Sequence, residues 1–242
     1  MSREKAPKMF ATTRWSLVQA AGEARSTPAR AALGELCETY WFPLYAFARR
    51  KGLPLVDAED RTQAFFAFVL EGNLIARADP QRGRFRSFLL KSMQNFLSTE
   101  QRRNDAQKRG GGRVIQSLDV SQAESRISHE PVSHETPERL FEREWALTVL
   151  QTTLDKLREE YRAESRGELC ELLEPHLHGD ENRLPYLDLA ARFDLSEEAI
   201  KSAAHRLRRR YRELLRAEVA ETLSDPSEVD DELRRLMVAV GN

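Results

Sequence analysis

The stretch Leu184–Arg216, LPYLDLAARFDLSEEAIKSAAHRLRRRYRELLR, most constrains the fold. Two short apolar-periodic segments flank a break at Asp194-Leu195-Ser196. The first carries Tyr186, Leu189, Ala190 and Phe193, and the second Ala199, Ile200, Ala203 and Leu207. Steps of three and four residues put one apolar face on each of two helices, and a break this short forces those faces together. Ala190, Ala199 and Ala203 allow close approach. Ser196 is placed to cap the second helix, with Glu197 and Glu198 in its electropositive first turn. The pattern predicts a helix-turn-helix whose second helix turns Glu198, Lys201, Ser202, His205 and Arg208 outward.

The remainder reads as helix too. Text rich in Ala, Leu, Glu and Arg, only 11 Gly and 10 Pro in 242 residues, and no alternating runs of β-branched residues predict an all-α protein. Thr27-Pro28 starts a helix with Leu33, Leu36, Cys37 and Tyr40 on one face; Pro43 is expected to kink or restart it, and Gly52 to end it. Asp57 is expected to cap a second helix with Ala64, Phe65, Phe68 and Val69 inward. A third helix runs to about Arg103 with Phe85, Phe88, Leu89, Met93, Phe96 and Leu97 on its apolar stripe. The Ser-rich text after Lys108-Arg-Gly-Gly-Gly-Arg113 lacks periodicity and is expected to be a linker. Leu140, Leu147, Leu150, Leu154, Leu157 and Tyr161 mark a long amphipathic helix. Val229, Leu233, Leu236 and Val240 give the acidic tail an apolar stripe that must dock somewhere. The resulting division is an extension (1–26), a helical domain (27–104), a flexible linker (105–138), a helix-turn-helix domain (139–223) and a helical tail (224–242).

A formal net charge of −1 seems to exclude a polyanionic partner, but the charge is segregated. Arg82–Arg113 holds nine Lys and Arg against Glu100 and Asp105, and Lys201–Arg216 holds seven against Glu213 alone. Two separated basic stretches predict two contact sites for nucleic acid. Two cysteines in apolar contexts imply no disulfide framework, and the chain has no signal-peptide core and no membrane-spanning run, so a cytoplasmic setting without membrane partners is expected. Cys170, Glu174, His176 and His178 match no metal-ligand spacing, no nucleophile is set beside a base and an orienting acid, and no phosphate-binding glycine loop follows a strand; neither enzyme nor cofactor is expected.

Three stretches, in this order, resemble the extracytoplasmic-function (ECF) sigma factors of the sigma-seventy superfamily, which direct bacterial RNA polymerase to promoters. Asp57-Ala-Glu-Asp-Arg-Thr-Gln-Ala-Phe-Phe66 is similar to the family's core-binding helix. Arg82-Gly-Arg-Phe-Arg-Ser-Phe-Leu-Leu90, with Asn95 and Arg102-Arg103, is similar to its promoter-melting helix. Tyr186–Arg210 is similar to its upstream-element reader. The resemblance covers most of Thr27–Leu223, and Thr-Arg-Trp-Ser-Leu near the N-terminus, Tyr-Trp-Phe-Pro-Leu-Tyr and Lys-Arg-Gly-Gly-Gly suggest a particular subgroup. It implies core polymerase and promoter DNA as partners, with room for an anti-sigma or other regulatory partner. Core polymerase would meet Glu59, Asp60, Gln63 and Phe66. Melted promoter DNA would meet Arg84, Lys91, Gln94, Asn95, Arg102 and Arg103. The upstream element would meet Glu198, Lys201, Ser202, His205, Arg206, Arg208 and Arg209. The chain departs from the family pattern in four places. Asp194 stands where the turn often has Gly, Arg61 replaces an apolar residue of the core-binding helix, Ser165–Arg183 is longer than compact members need, and the acidic tail is additional. Without the resemblance, the competing reading is a standalone helix-turn-helix regulator with an N-terminal sensing domain, which would footprint DNA alone as a dimer on paired half-sites.

Overall fold

The structure, a computed structural model, describes residues 27–71, 74–75, 78–79, 84–107, 135–179, 183–223 and 225–241. The expected N-terminal extension and nearly all of the expected linker lie outside these residues. Among the described residues there are nine α-helices and no strand, as an all-α fold requires. They are α1 (Thr27–Arg50), α2 (Leu55–Glu71), α3 (Phe85–Gln107), α4 (Pro137–Ala163), α5 (Gly167–Leu173), α6 (Pro175–His178), α7 (Tyr186–Phe193), α8 (Glu197–Ala220) and α9 (Val229–Val240). Two compact units result: the described residues up to Trp145 with those from Ala220 onward, and Ala146–Val219.

In the first unit, α1 continues through Pro43 instead of restarting there. It ends as the sequence predicts, at Gly52, whose φ of 94° suits a residue without Cβ. Gly52 N–H donates to Arg49 O and Leu53 N–H to Ala48 O, at 3.0 and 3.3 Å, the paired bonds of a Schellman stop. Helix α2 begins two residues before Asp57, which lies in its first turn and does not cap it. Its buried side is Ala58, Glu59, Thr62, Phe65, Phe66 and Val69. That register replaces the expected one: Ala64 is exposed and Phe68 is 45% exposed. Adjacent phenylalanines can seat the helix in either of two rotations about 100° apart, and the one adopted buries Phe65 and Phe66 together beside Val69. Phe96 of α3 meets both Phe65 and Phe68 with ring centroids 5.6 Å apart, and Phe85 meets Tyr40 of α1 at the same distance. Phe85, Leu89 and Met93 are buried, so the aromatic residues of α3 serve packing.

The tail belongs to this unit. Val229 and Leu236 of α9 are buried, and so is Glu232, which falls in the same helical register. Both of its oxygens meet arginines at the start of α3: Oε1 accepts from Arg86 Nη1, and Oε2 lies 2.8 Å from Arg84 Nε. Arg86 is 4% exposed. Its Nε donates to Glu142 of α4 at 2.7 Å, and its guanidinium lies 4.1 Å over the Trp145 ring. A buried guanidinium must have its charge and its N–H groups met inside the protein, and two carboxylates and an indole face meet them here.

The second unit is built around Leu157, Leu173, Leu189, Ile200, Leu207 and Val219. Residues 165–183, whose role the sequence leaves open, supply α5 and α6. Cys170 and Leu173 are buried, burial pushes the Cys170 thiol up to about 11, and Glu174 accepts two bonds from Arg158 at 2.9 and 2.7 Å. This segment closes the core behind the helix-turn-helix.

Candidate nucleic-acid interface

The helix-turn-helix forms as its residues dictate. Asp194 ends α7 in the left-handed region, at φ 53° and ψ 46°, a conformation Asp adopts at less cost than most non-glycine residues. Leu195 N–H donates to Ala190 O at 3.0 Å, and Ser196 Oγ accepts from Ala199 N–H at 3.1 Å to open α8. Leu189, Ala190, Ile200, Ala203, Ala204 and Leu207 are buried, which fixes the rotation of α8.

That rotation leaves Glu198, Lys201, Ser202, His205, Arg206 and Arg209 exposed. Lys201 pairs with Glu197 one turn back at 2.7 Å, and that hydrogen bond, with the carboxylate charge, raises its ammonium above its ordinary value. A solvated pair of this kind exchanges readily for a phosphate or base edge. Arg209 faces Glu213 at 3.5 Å with both side chains at least half in water. Arg208, expected on the outward face, is placed otherwise. Its Nη2 donates to Tyr186 Oη at 3.0 Å, and its Nε and Nη2 both reach His176 O at 3.3 Å. The position lies two turns beyond Lys201, and the long arginine stem carries its guanidinium aside to the His176 carbonyl. Arg210 is likewise internal: Glu160 accepts from its Nε and Nη2 at 2.7 and 2.6 Å, which holds its guanidinium charge above the ordinary value. His176, weighed against a metal role in the sequence, stacks on Tyr186 at 4.5 Å, and its Nε2 lies 3.0 Å from Leu184 O.

On α3, Lys91, Asn95, Ser98 and Arg102 are exposed. Steps of four, three and four residues align them along one side of the helix, opposite Leu89 and Met93. Lys91 and Arg102 have no ion pair among the described residues. Arg103 is exposed and tied to Glu100 at 3.1 Å, and Gln94 is half-buried and donates to Glu138 at 3.1 Å. Arg84 lies apart from this row, against Glu232.

The α2 surface also differs from expectation. Asp60 and Gln63 are half-exposed, but Glu59 is 1% exposed and accepts from Gln63 Nε2 at 3.3 Å, and Phe66 is buried. The register set by Phe65 and Phe66 turns Glu59 inward with them. Arg61 faces α3, where Glu100 accepts from its Nη1 at 2.7 Å, so its departure from the family pattern answers a partner within the chain.

Sequence reasoning passed over Arg86 and Glu232. Their signal was a glutamate inside the apolar register of the tail, three residues after Val229 and four before Leu236, because a buried carboxylate demands cationic partners. Among the described residues no helix is long and apolar enough to cross a membrane.

Searches of curated proteins and of solved structures found no match. A family model described as ECF sigma factor matches residues 55–217, from the start of α2 almost to the end of α8. The match spans well over half of the chain, and the chain therefore belongs to the ECF sigma factor family, non-enzymatic initiation factors that bind RNA polymerase and promoter DNA.

Proposed function

We propose that three helical faces divide the work of initiation. Asp60 and Gln63 on α2 meet core polymerase. Lys91, Asn95, Arg102 and Arg103 on α3 hold the melted promoter, with amide and cationic groups for base edges and phosphates. Glu198, Lys201, Ser202, His205, Arg206 and Arg209 on α8 meet the upstream promoter element. The observation that carries this reading is the outer face of α8. A buried apolar side fixes its rotation, while six polar side chains of helix-reader type stand free of the core. Lysine suits guanine edges, serine either base edge, glutamate the cytosine amino group, and the arginines phosphate. Helix α3 supports the melting step because its exposed row combines an amide with cations, Lys91 and Arg102, that have no carboxylate partner among the described residues. Arg84, Arg208, Glu59 and Phe66 play structural parts in this scheme.

The test separates the two binding tasks. Lys201→Ala with His205→Ala is expected to lower promoter-dependent transcription on the order of tenfold or more, as loss of base contacts does. Affinity for core polymerase, measured on the same protein, is expected to stay at the wild-type value. An equal fall in both would contradict the division.

A further inference from the structure

A cavity of about 420 Å³ opens in the first unit where α9 meets the residues at the starts of α3 and α4. Arg84, Arg86, Arg139, Arg234 and Arg235 line it. Glu135 and Glu142 are the carboxylates of its wall, and each is engaged, Glu142 by Arg86 at 2.7 Å and Glu135 by Arg143 at 3.5 Å. With Glu232 beneath and Asp231 paired to Arg234, the five lining arginines outnumber these carboxylates by one. Arg139 and Arg235 are exposed and have no ion pair among the described residues. Arg84 Nε is buried and makes no hydrogen bond despite its nearness to Glu232, so the pair is an electrostatic contact with a donor direction unused.

We propose that this cavity binds a small phosphate ester of nucleotide size. Arginines line it from three chain segments, and two of them, Arg139 and Arg235, carry guanidinium forks without an ion pair among the described residues, groups suited to tetrahedral oxyanions carrying two or more charges. Val238 and Ala239 of α9, with the arginine stems, give it an apolar wall for the organic part, and the volume falls within the range of small-molecule sites. Burial holds the Arg84 guanidinium below its ordinary value, with Glu232 and Glu228 opposing and Arg86 and Arg235 acting in the same direction as burial. Arg234 and Arg235 belong to the tail helix while Arg84 and Arg139 do not, so an occupant fastens α9 to the rest of its unit. None of these residues belongs to the polymerase-facing or DNA-facing sets proposed above, from which Arg84 is removed by its contact with Glu232.

The probes are inorganic pyrophosphate and ATP, titrated calorimetrically into the full chain without divalent metal. One-to-one binding of either is expected, with a rise in melting temperature at saturation because the ligand binds the folded state. Binding of both identifies the phosphate groups as sufficient, and binding of ATP alone identifies a nucleotide as the source. Arg139→Ala with Arg235→Ala is expected to weaken binding roughly a hundredfold, about tenfold for each guanidinium lost. Both residues are exposed and have no ion pair among the described residues, so the ligand-free melting temperature should hold. Lys201→Ala with His205→Ala, in the other unit, should bind normally. Absence of binding at millimolar ligand would overturn the proposal. So would an affinity within twofold of wild type in the arginine variant, or an equal loss in the α8 variant, which marks general attraction of polyanions.

Discussion

Glu232→Gln tests the tail contact, because it keeps the side-chain shape and removes the charge. In the wild type Glu232 is fully buried, and it faces Arg86, 4% exposed, and Arg84, whose side chain is 22% exposed. Stripping the partner from a buried charge costs about 3–5 kcal/mol when nothing replaces it. Here Arg86 keeps Glu142 at 2.7 Å and the Trp145 face at 4.1 Å, and Arg84 can reach water. The expected loss is therefore smaller, about 2–3 kcal/mol. At about 2–4 °C for each kcal/mol in a unit of this size, the first unit should melt roughly 4–12 °C lower. The assay is urea and thermal unfolding followed by circular dichroism, with limited proteolysis to show whether α9 is released. Asp231→Ala is the control: its carboxylate is 60% exposed and, among the described residues, pairs with Arg234 in the next turn, so its melting should match the wild type. A Glu232→Gln protein within about 0.5 kcal/mol of wild type, the range of an ordinary surface substitution, would refute the argument that this ion pair holds the tail.

Two further predictions concern the second unit. Arg208→Ala should destabilise it by about 1–3 kcal/mol through the lost bonds to His176 O and Tyr186 Oη, while leaving the salt dependence of DNA binding at the wild-type slope, as a residue without a phosphate contact must; a shallower slope with unchanged stability would return Arg208 to the DNA-facing set. Burial holds the His176 imidazole below its ordinary 6.5, with Arg183 and Arg208 acting the same way and the Leu184 carbonyl opposing. As pH falls, the unfolded chain therefore takes up this proton before the folded one, so stability is full above about 6.5 and declines below it toward the folded value. Melting measured at pH 7.5 and 5.5 should show that decline in the wild type and a smaller one in His176→Gln; equal declines would remove His176 as their source.

The helix-turn-helix was legible because its information is local. Apolar spacing, a serine cap and an aspartate able to take a left-handed turn all lie within a few residues of one another, and α8 turns outward nearly every side chain expected of it. Arg208 escaped that reading because its partners, the His176 carbonyl and the Tyr186 hydroxyl, lie 32 and 22 residues away in the chain. The register of α2 escaped it because Phe65, Phe66 and Phe68 permit two buried faces, and only packing against α1 and α3 selects one. Glu59 and Phe66 turned inward with that choice. The seating of the tail was half legible. Its stripe required a docking surface, but that Glu232 would meet Arg86 depends on contacts 146 residues apart, which no local pattern encodes.

Whether this chain brings RNA polymerase to promoters through separate polymerase- and DNA-facing helices is measured by reconstituting the full protein with bacterial core polymerase. Transcription is then measured from promoters selected by the holoenzyme out of a random-sequence library. Transcripts are expected from a defined set of promoters only when the protein is present, and they should be lost together with core binding in Asp60→Ala plus Gln63→Ala. Failure of the wild-type protein to bind core, or core binding and promoter use unchanged in that double variant, would contradict this expectation.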